Sequence, residues 1–226
     1  MTLPAPADKA TAVRRMFDAI APRYDLVNRV MTLGMDVSWR RATARALGLP
    51  RGSLVLDLAC GTGDLCNETA RLGLLPVGLD YSAGMLAAAN TSAPLVQGDA
   101  LSLPVRQAAA DGVTCGFALR NVEDIAALFA QFARVIRPRG RVAILEVSQP
   151  RRRALRFGHH FYFHRVVPMI GGLLSDRAAY RYLPESVAYL PPTQTLLQML
   201  GDAGFSKCES RSLGLGAAQL ITGTRS

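Results

Sequence analysis

The stretch from Leu54 to Asp64, Leu-Val-Leu-Asp-Leu-Ala-Cys-Gly-Thr-Gly-Asp, constrains the fold more than any other part of the chain. An apolar run carrying an acid, Asp57, breaks into Gly61-Thr62-Gly63 and leads into a helix-compatible segment, Asp64 to Leu72. This order predicts a buried strand, a tight glycine turn and a helix N-terminus. Such a turn lets a ligand approach bare backbone N–H groups.

The nicotinamide fingerprint G-x-G-x-x-G requires a third glycine where this chain has Cys66, and no G-x-x-x-x-G-K-[ST] phosphate loop is present. The acids point elsewhere. A second apolar stretch, Pro76 to Leu79, ends in Asp80, where a carboxylate can accept hydrogen bonds from both ribose hydroxyls. A third, Leu95 to Gln97, ends in Gly98-Asp99-Ala100, offering a carboxylate and a backbone N–H to an adenine edge. Asp57 stands where a cationic amino or sulfonium group could be held beside the glycine turn. Three strand ends with Asp57, Asp80 and Asp99 suit a nucleoside with a cationic tail and no phosphates, which is S-adenosylmethionine. Any one of these acids alone could equally cap a helix or turn. Their ordered repetition carries the argument.

With 226 residues, 50% of them hydrophobic, the chain can build one α/β domain with a sizeable core. No signal peptide is visible, and no stretch reaches the roughly 18 apolar residues of a membrane span. Cys60, Cys66, Cys115 and Cys208 lack metal-ligand spacing and read as reduced thiols in a cytoplasmic protein. No metal is expected. His160 and His164 share a helix face, but no Glu occupies the zincin position and no third ligand is near.

The net charge of +9 is mostly arginine, in runs at Arg40, Arg41 and Arg45, at Arg134, Arg137, Arg139 and Arg141, and at Arg151-Arg152-Arg153 with Arg156. The last run adjoins Phe157, Phe161, Tyr162, Phe163, Val166, Val167, Met169 and Ile170, a greasy segment able to rest on an anionic bilayer. Nucleic acid is not expected, because basic residues and aromatics interleave only from Arg156 to Arg165, which is too apolar for an RNA surface.

Periodicity divides the chain into one domain of four parts: a helical cap over residues 9–49, a cofactor-binding core over 50–150, a lid insertion over 151–192, and a C-terminal helix and hairpin over 193–226. Helices are expected at Thr11–Ile20, Pro22–Leu33, Val37–Leu47, Asp64–Leu72, Ala83–Asn90, Ile125–Ile136 and Thr193–Ala203. Strands are expected at Leu54–Leu58, Pro76–Leu79, Leu95–Gln97, Gly112–Gly116, Arg141–Val147, Lys207–Leu213 and Ala217–Gly223. The last two should form an antiparallel hairpin through Gly214-Leu215-Gly216. Strand–helix alternation argues for a parallel sheet covered on both faces.

Four further segments resemble the menaquinone/ubiquinone C-methyltransferase family. These are Phe17-Asp18 with Tyr24-Asp25-Leu26-Val27-Asn28, Leu33-Gly34 and Trp39-Arg40; Ala118-Leu119-Arg120-Asn121-Val122; Arg134 to Gly140 running into Leu145-Glu146-Val147-Ser148; and Tyr180 to Val187. The chain departs from the usual pattern at Asp36, where His is common, at Arg139, where Gly is common, and at Ala217-Ala218. The resemblance implies a class I S-adenosylmethionine-dependent methyltransferase fold, with a seven-stranded sheet in the order 3-2-1-4-5-7-6 and an antiparallel seventh strand. It implies N-terminal helices that close over the cofactor and methylation of a prenylated hydroquinone, most simply demethylmenaquinol. Other readings are a methyltransferase for another aromatic compound and a non-catalytic adenosine-ligand-binding protein.

In open α/β sheets the site lies beyond the C-terminal strand ends. That places Asp57, Gly61, Thr62, Gly63, Asp80, Asp99, Ala100 and Gly116 around the cofactor, and the family pattern supports Thr62, Asp80, Asp99 and Ala100 most directly. Arg120 and Asn121 follow the fourth strand into the same crevice. Arginine stays protonated, so Arg120 is expected to stabilise a phenolate or hold a proton-accepting water rather than act as a base. The alternative is that it pairs with Glu123 or Asp124 and only fixes the loop. Tyr24 and Asp25 belong to the cap, with Asp25 a candidate base or an interhelical cap. His160 is a candidate hydrogen-bond partner for a quinol hydroxyl. The expected setting is the inner face of the cell membrane, peripherally attached, with a homodimer possible.

Overall fold

The structure is a computed structural model that describes residues 6–148 and 186–226. Seven strands, β1 (Leu54–Leu58), β2 (Leu75–Asp80), β3 (Leu95–Gln97), β4 (Ala110–Gly116), β5 (Ile136–Val147), β6 (Phe205–Leu213) and β7 (Ala218–Arg225), form one sheet in the order β3-β2-β1-β4-β5-β7-β6. The first five pair in parallel, and β7 runs antiparallel to both its neighbours. This is the expected topology. Three helices precede the sheet: α1 (Pro6–Ile20), α2 (Tyr24–Met31) and α3 (Met35–Ala46). α4 (Asp64–Arg71), α5 (Ala83–Ala87), α6 (Ile125–Val135) and α7 (Thr193–Asp202) follow within it.

The sheet is apolar on both faces, and β5 shows why. Val142 and Ile144 pack with Leu128, Phe129 and Phe132 of α6 in the main core. Ala143, between them, joins Leu47, Val55 and Leu220 on the other face, and Leu145 meets Trp39 of α3 there. The two-residue period of a strand sends alternate side chains to opposite sides, so a strand covered on both reads as a continuous apolar run. A third, smaller cluster stands apart from the sheet. Ile20, Ala21, Val27 and Met85, with Phe17 and Tyr24 alongside, fasten the N-terminal helices over α5.

Several boundaries differ from those expected; α1 begins at Pro6 rather than Thr11, and β6 at Phe205 rather than Lys207. The helix anticipated from Pro22 to Leu33 is a 3-10 turn, Ala21–Arg23, followed by α2. Pro22 does sit in a first helical turn, as its missing N–H favours. The helix expected to reach Asn90 ends at Ala87. The Arg137–Gly140 segment, which falls between the expected helix and strand, belongs to β5. Ile136 pairs with Ala110, the register then shifts, and Arg139 takes a left-handed φ of 67°. That backbone conformation accounts for the glycine common at this position in the resembling family. At the hairpin, Gly214 (φ 53°) lies against the Trp39 indole, leaving no room for a Cβ.

Much of the arginine is structural. Arg134 donates to the Val105 carbonyl at 2.5 Å and the Leu103 carbonyl at 2.8 Å, and Arg141 donates to Thr224 at 2.6 Å. Arg40 is buried, and Arg137 pairs with Asp111 at 2.8 Å. Arg151–Arg153, Arg156 and the three histidines, His160 included, lie outside the described residues. Among the described residues, no helix is long and apolar enough to cross a membrane.

Candidate active site

The ends of β1, β2, β3 and β4 open into one cleft of about 990 Å³, roofed by α1 and the start of α2. Its floor includes Gly61, Asp80, Asp99, Ala100 and Gly116, and its roof includes Arg14, Phe17 and Tyr24. A smaller compartment of about 350 Å³ continues beneath the glycine turn, bordered by Asp57, Gly61, Thr62, Gly116 and Tyr24. Of the thirteen residues expected at the site, nine border one of these two spaces: Tyr24, Asp57, Gly61, Thr62, Asp80, Asp99, Ala100, Gly116 and Asn121. Asp25 joins them through its bond to Thr62, whereas Gly63 and Arg120 line neither.

The glycine turn is built by left-handed backbone at Ala59 (φ 55°), Gly61 (φ 56°) and Gly63 (φ 86°). At Gly61 the space a Cβ would occupy is open, whereas at Gly63 a Cβ would lie 2.6 Å from Thr91 Cγ2. Gly63 is therefore required for closure of the turn and caps α4. Gly61 keeps backbone accessible to a ligand.

Asp80 ends β2. Its carboxylate accepts the Gly61 N–H at 2.8 Å and the Ser82 N–H at 2.8 Å. Burial pushes its pKa up, and those backbone donors oppose the rise. A carboxylate offers about four lone-pair positions, so two backbone bonds orient it while leaving acceptor capacity for hydroxyls in the cleft. Asp99 is exposed at the cleft edge, where its carboxylate accepts the Leu101 N–H at 2.8 Å.

Asp57 is enclosed. It accepts the Thr114 hydroxyl at 2.9 Å and the Cys66 thiol at 3.3 Å, and burial pushes its pKa up to about 7. Cys66 thus fills the position of the third dinucleotide glycine with a thiol turned toward that acid. Its own pKa is pushed up by a hydrogen bond with Cys60 and by burial, so it remains a neutral donor. All four cysteines are free thiols.

Two contacts fasten the cap to the sheet. Asp25 of α2 accepts the Thr62 hydroxyl at 2.6 Å. Asp18 of α1 accepts the Ser82 hydroxyl at 2.5 Å and the Gly84 N–H at 2.9 Å, and the Ser82 bond holds its pKa low. A Cβ on Gly84 would lie 2.8 Å from the Asp18 Cα, so the glycine permits this docking. A third tie lies behind them. Asp36, almost fully buried, accepts from Arg29, Arg40 and the Thr32 hydroxyl, and Arg29 continues to Asp64 of α4 at 2.8 Å. The acid at position 36 is matched to two arginines, which accounts locally for its presence.

Arg120 requires a correction. It pairs neither with Glu123 nor with Asp124; its Nη1 donates to Glu146 at the end of β5. Asp124 instead caps α6, accepting the Ala127 N–H at 2.9 Å. Arg120 is 5% exposed and Glu146 fully buried, and Arg120 is not among the residues lining the larger cleft. Its Nε is buried without a hydrogen-bond partner among the described residues. Asn121, next in sequence, does line the cleft. Between cleft and ion pair stands Phe117 (φ 57°), with the guanidinium of Arg40 5.6 Å and that of Arg120 5.9 Å from its ring centre.

Asp18, Phe117 and Glu146 were not assigned roles from the sequence. Glu146 carried a signal, since a lone acid inside Val-Ala-Ile-Leu-Glu-Val is costly unless paired. Asp18 stands in the N-terminal segment that carries the family resemblance, without a role read from it, and Phe117 carried no signal. Among the described residues, no group of three or more His, Cys, Asp or Glu side chains could hold a metal.

Strand order, antiparallel β7 and a cleft at the strand ends define the class I S-adenosylmethionine-dependent methyltransferase fold. Solved structures agree at fold level. A possible histamine N-methyltransferase from Thermotoga maritima superposes with a TM-score of 0.65 at 16% identity, covering 94% of this chain and 99% of that one. Phosphoethanolamine N-methyltransferase 2 of Haemonchus contortus, in complex with S-adenosyl-L-methionine, gives 0.62 at 15% identity over 92% of this chain and 60% of that one.

Residues 6–225 match the ubiE/COQ5 methyltransferase family, and the chain belongs to it. It is a methyltransferase. It is 45% identical to the demethylmenaquinone methyltransferase of Roseiflexus castenholzii, over 99% of this chain and 97% of that protein. It is 37% identical to the ubiquinone/menaquinone biosynthesis C-methyltransferase UbiE of Geobacter sulfurreducens, over 96% of this chain and 90% of that one.

Proposed function

We propose that this protein transfers a methyl group from S-adenosylmethionine to a ring carbon of a prenylated hydroquinone, demethylmenaquinol, at the inner face of the cell membrane. The observation that carries the reading is the oriented Asp80 carboxylate beside an accessible Gly61 backbone, in a cleft that also holds Asp99 and Asp57. This suits a ribose, an adenine edge and a cationic tail. When bound, the cofactor supplies an electrophilic sulfonium methyl. The names of the full-length relatives support the quinol.

The chain's own residues divide the work. Asp80 holds the ribose hydroxyls, Asp99 with Ala100 the adenine edge, and Asp57 balances the cationic tail through the smaller compartment. Phe17 and Tyr24 cover the cleft and exclude water, which strengthens every charge interaction inside. A hydroquinone ring carbon becomes more nucleophilic as a neighbouring hydroxyl loses its proton. Arg120, fixed by Glu146 behind Phe117, does not line the cleft and lowers the cost of that phenolate only through its field, as a cation that cannot itself take the proton. Asn121 positions the ring, and Asp25 acts as a latch on Thr62 rather than as a free base.

The test is a competition. Reduced demethylmenaquinone, its oxidised form and a soluble catechol are each offered with labelled S-adenosylmethionine. The proposal requires label in the reduced quinol alone. Equal labelling of the catechol would transfer the assignment to another aromatic substrate.

A further inference from the structure

The tail of S-adenosylmethionine ends in an α-amino acid, so it brings a carboxylate as well as an ammonium into the space that receives it. The smaller compartment is bordered by two acids, Asp57 and Asp64, and by a single cation among the described residues, Arg40. The acids suit the ammonium and repel the carboxylate. The glycine turn has few donors left to offer the carboxylate. The Gly61 N–H goes to Asp80, the Gly63 N–H to the Cys60 carbonyl, and the Thr62 hydroxyl to Asp25.

Arg40 is held in place by ion pairs that do not use it up. Its Nη1 donates to the buried Asp36 one turn earlier in α3, and its Nε lies 3.6 Å from Asp64. A guanidinium presents five N–H donors in a rigid fork, and these contacts engage only Nη1 and Nε. Nη2 makes no hydrogen bond among the described residues, yet it is not sealed away as an orphaned buried donor. The guanidinium stands 5.6 Å from the centre of the Phe117 ring, which borders the same compartment. From there its charge reaches Asp57 and opposes the rise in that acid's pKa. Arg29 and Arg40 face Asp36 and Asp64, two charges of each sign. A zwitterion adds one charge of each sign to that cluster and leaves it balanced.

We propose that Arg40 receives the α-carboxylate of S-adenosylmethionine through Nη2, while Asp57, on the same compartment, faces the ammonium. The proposal rests on the reading of S-adenosylmethionine as the donor and needs no assumption about the acceptor. It brings α3 into the cofactor site, because a carboxylate seated on Arg40 joins the Asp36 cluster that ties the cap to α4.

Calorimetry with three ligands separates this role from a structural one. The ligands are S-adenosylhomocysteine, its decarboxylated analogue, which keeps the amine, and 5′-methylthioadenosine, which lacks the whole amino acid. Wild type should bind S-adenosylhomocysteine at least about tenfold more tightly than the decarboxylated analogue, the scale of one charge-assisted hydrogen bond. Arg40→Gln should weaken S-adenosylhomocysteine about 10–100-fold, abolish that preference and leave 5′-methylthioadenosine within about twofold of wild type. Arg40→Lys keeps a charge opposite Asp36 but not the fork. It should show the same pattern to a smaller degree, and it carries the test if thermal melts show Arg40→Gln unfolded.

Wild type that binds the first two ligands equally would overturn the proposal. So would folded variants that weaken all three ligands alike, as loss of a purely structural ion pair would, or that weaken none. Binding of no adenosyl ligand by wild type would refute the donor reading and the proposal with it, whereas the other failures leave the donor reading standing.

Discussion

Replacing Glu146 by Gln keeps the side chain's shape and removes the one charge among the described residues that pairs with the Arg120 guanidinium. Glu146 is fully buried, Arg120 is 5% exposed, and the Arg120 Nε already lacks a partner among the described residues. The variant therefore leaves a buried cation without its anion. Breaking such a pair costs about 3–5 kcal/mol, whereas replacing both partners by apolar groups is often neutral or stabilising. In a chain of this size each kcal/mol shifts Tm by about 2–4 °C, so Glu146→Gln should melt roughly 6–20 °C below wild type. Urea unfolding should show the loss at unchanged slope. The double variant Glu146→Gln/Arg120→Met should recover most of that stability, with a coupling term of at least ~1 kcal/mol. Unlike the single variant, which keeps the cation, it should methylate a quinol poorly, because the field that favours the phenolate is gone. A single variant within ~1 kcal/mol of wild type, or a double variant no more stable than the single, would refute the buried pair. A stable double variant with normal turnover would refute the role of Arg120.

Three further outcomes follow from the site. Asp80→Ala should weaken S-adenosylmethionine binding more than tenfold by calorimetry, since charge-assisted hydrogen bonds contribute about 1.5–3 kcal/mol each; unchanged affinity in a folded variant would contradict the ribose assignment. Asp57, pushed up to about 7 from an ordinary 3.8, keeps a proton in the folded protein that the unfolded chain has lost. Its contribution to stability should therefore fall as pH rises from about 3.8 to 7, a slope that Asp57→Asn removes. Binding of a cationic cofactor should release that proton below pH 7, which calorimetry in buffers of different ionisation enthalpy would detect. Thr62→Val removes the 2.6 Å latch to Asp25 and should speed cofactor release about tenfold in stopped flow; an unchanged rate would mean that the cap is held by Asp18 and the Asp36 cluster alone.

The sheet was legible because its signals are local. Leu54–Leu58 and Leu95–Gln97 end where their apolar runs end, and Gly214-Leu215-Gly216 marks the hairpin. The cleft acids were legible for the same reason: Asp57 lies near the end of β1, Asp80 ends β2 and Asp99 follows β3 by two residues. What the sequence hid depends on long-range pairing. Arg120 sits beside Glu123 and Asp124 in the chain, yet its partner lies 26 positions away on the neighbouring strand. Asp25 looks like a free carboxylate until α2 folds back onto the glycine turn 37 positions on. Ile136–Gly140 reads as a breaker because of Pro138 and Gly140, but β4 supplies a pairing edge and Arg139 absorbs the irregularity with a left-handed φ. Propensity yields to tertiary context at such places.

The central claim is methyl transfer to carbon on a reduced quinone ring, in a cleft that holds the donor by Asp80. Its most direct test is a single-turnover reaction with S-adenosylmethionine carrying a 13C methyl and demethylmenaquinol enriched in ring 13C, followed by NMR of the extracted product. The account predicts one-bond carbon–carbon coupling between the transferred methyl and a ring carbon, with one S-adenosylhomocysteine formed per methyl and none when the quinone is oxidised. A labelled methyl without that coupling, bound to oxygen, or label accepted equally by the oxidised quinone, would contradict it.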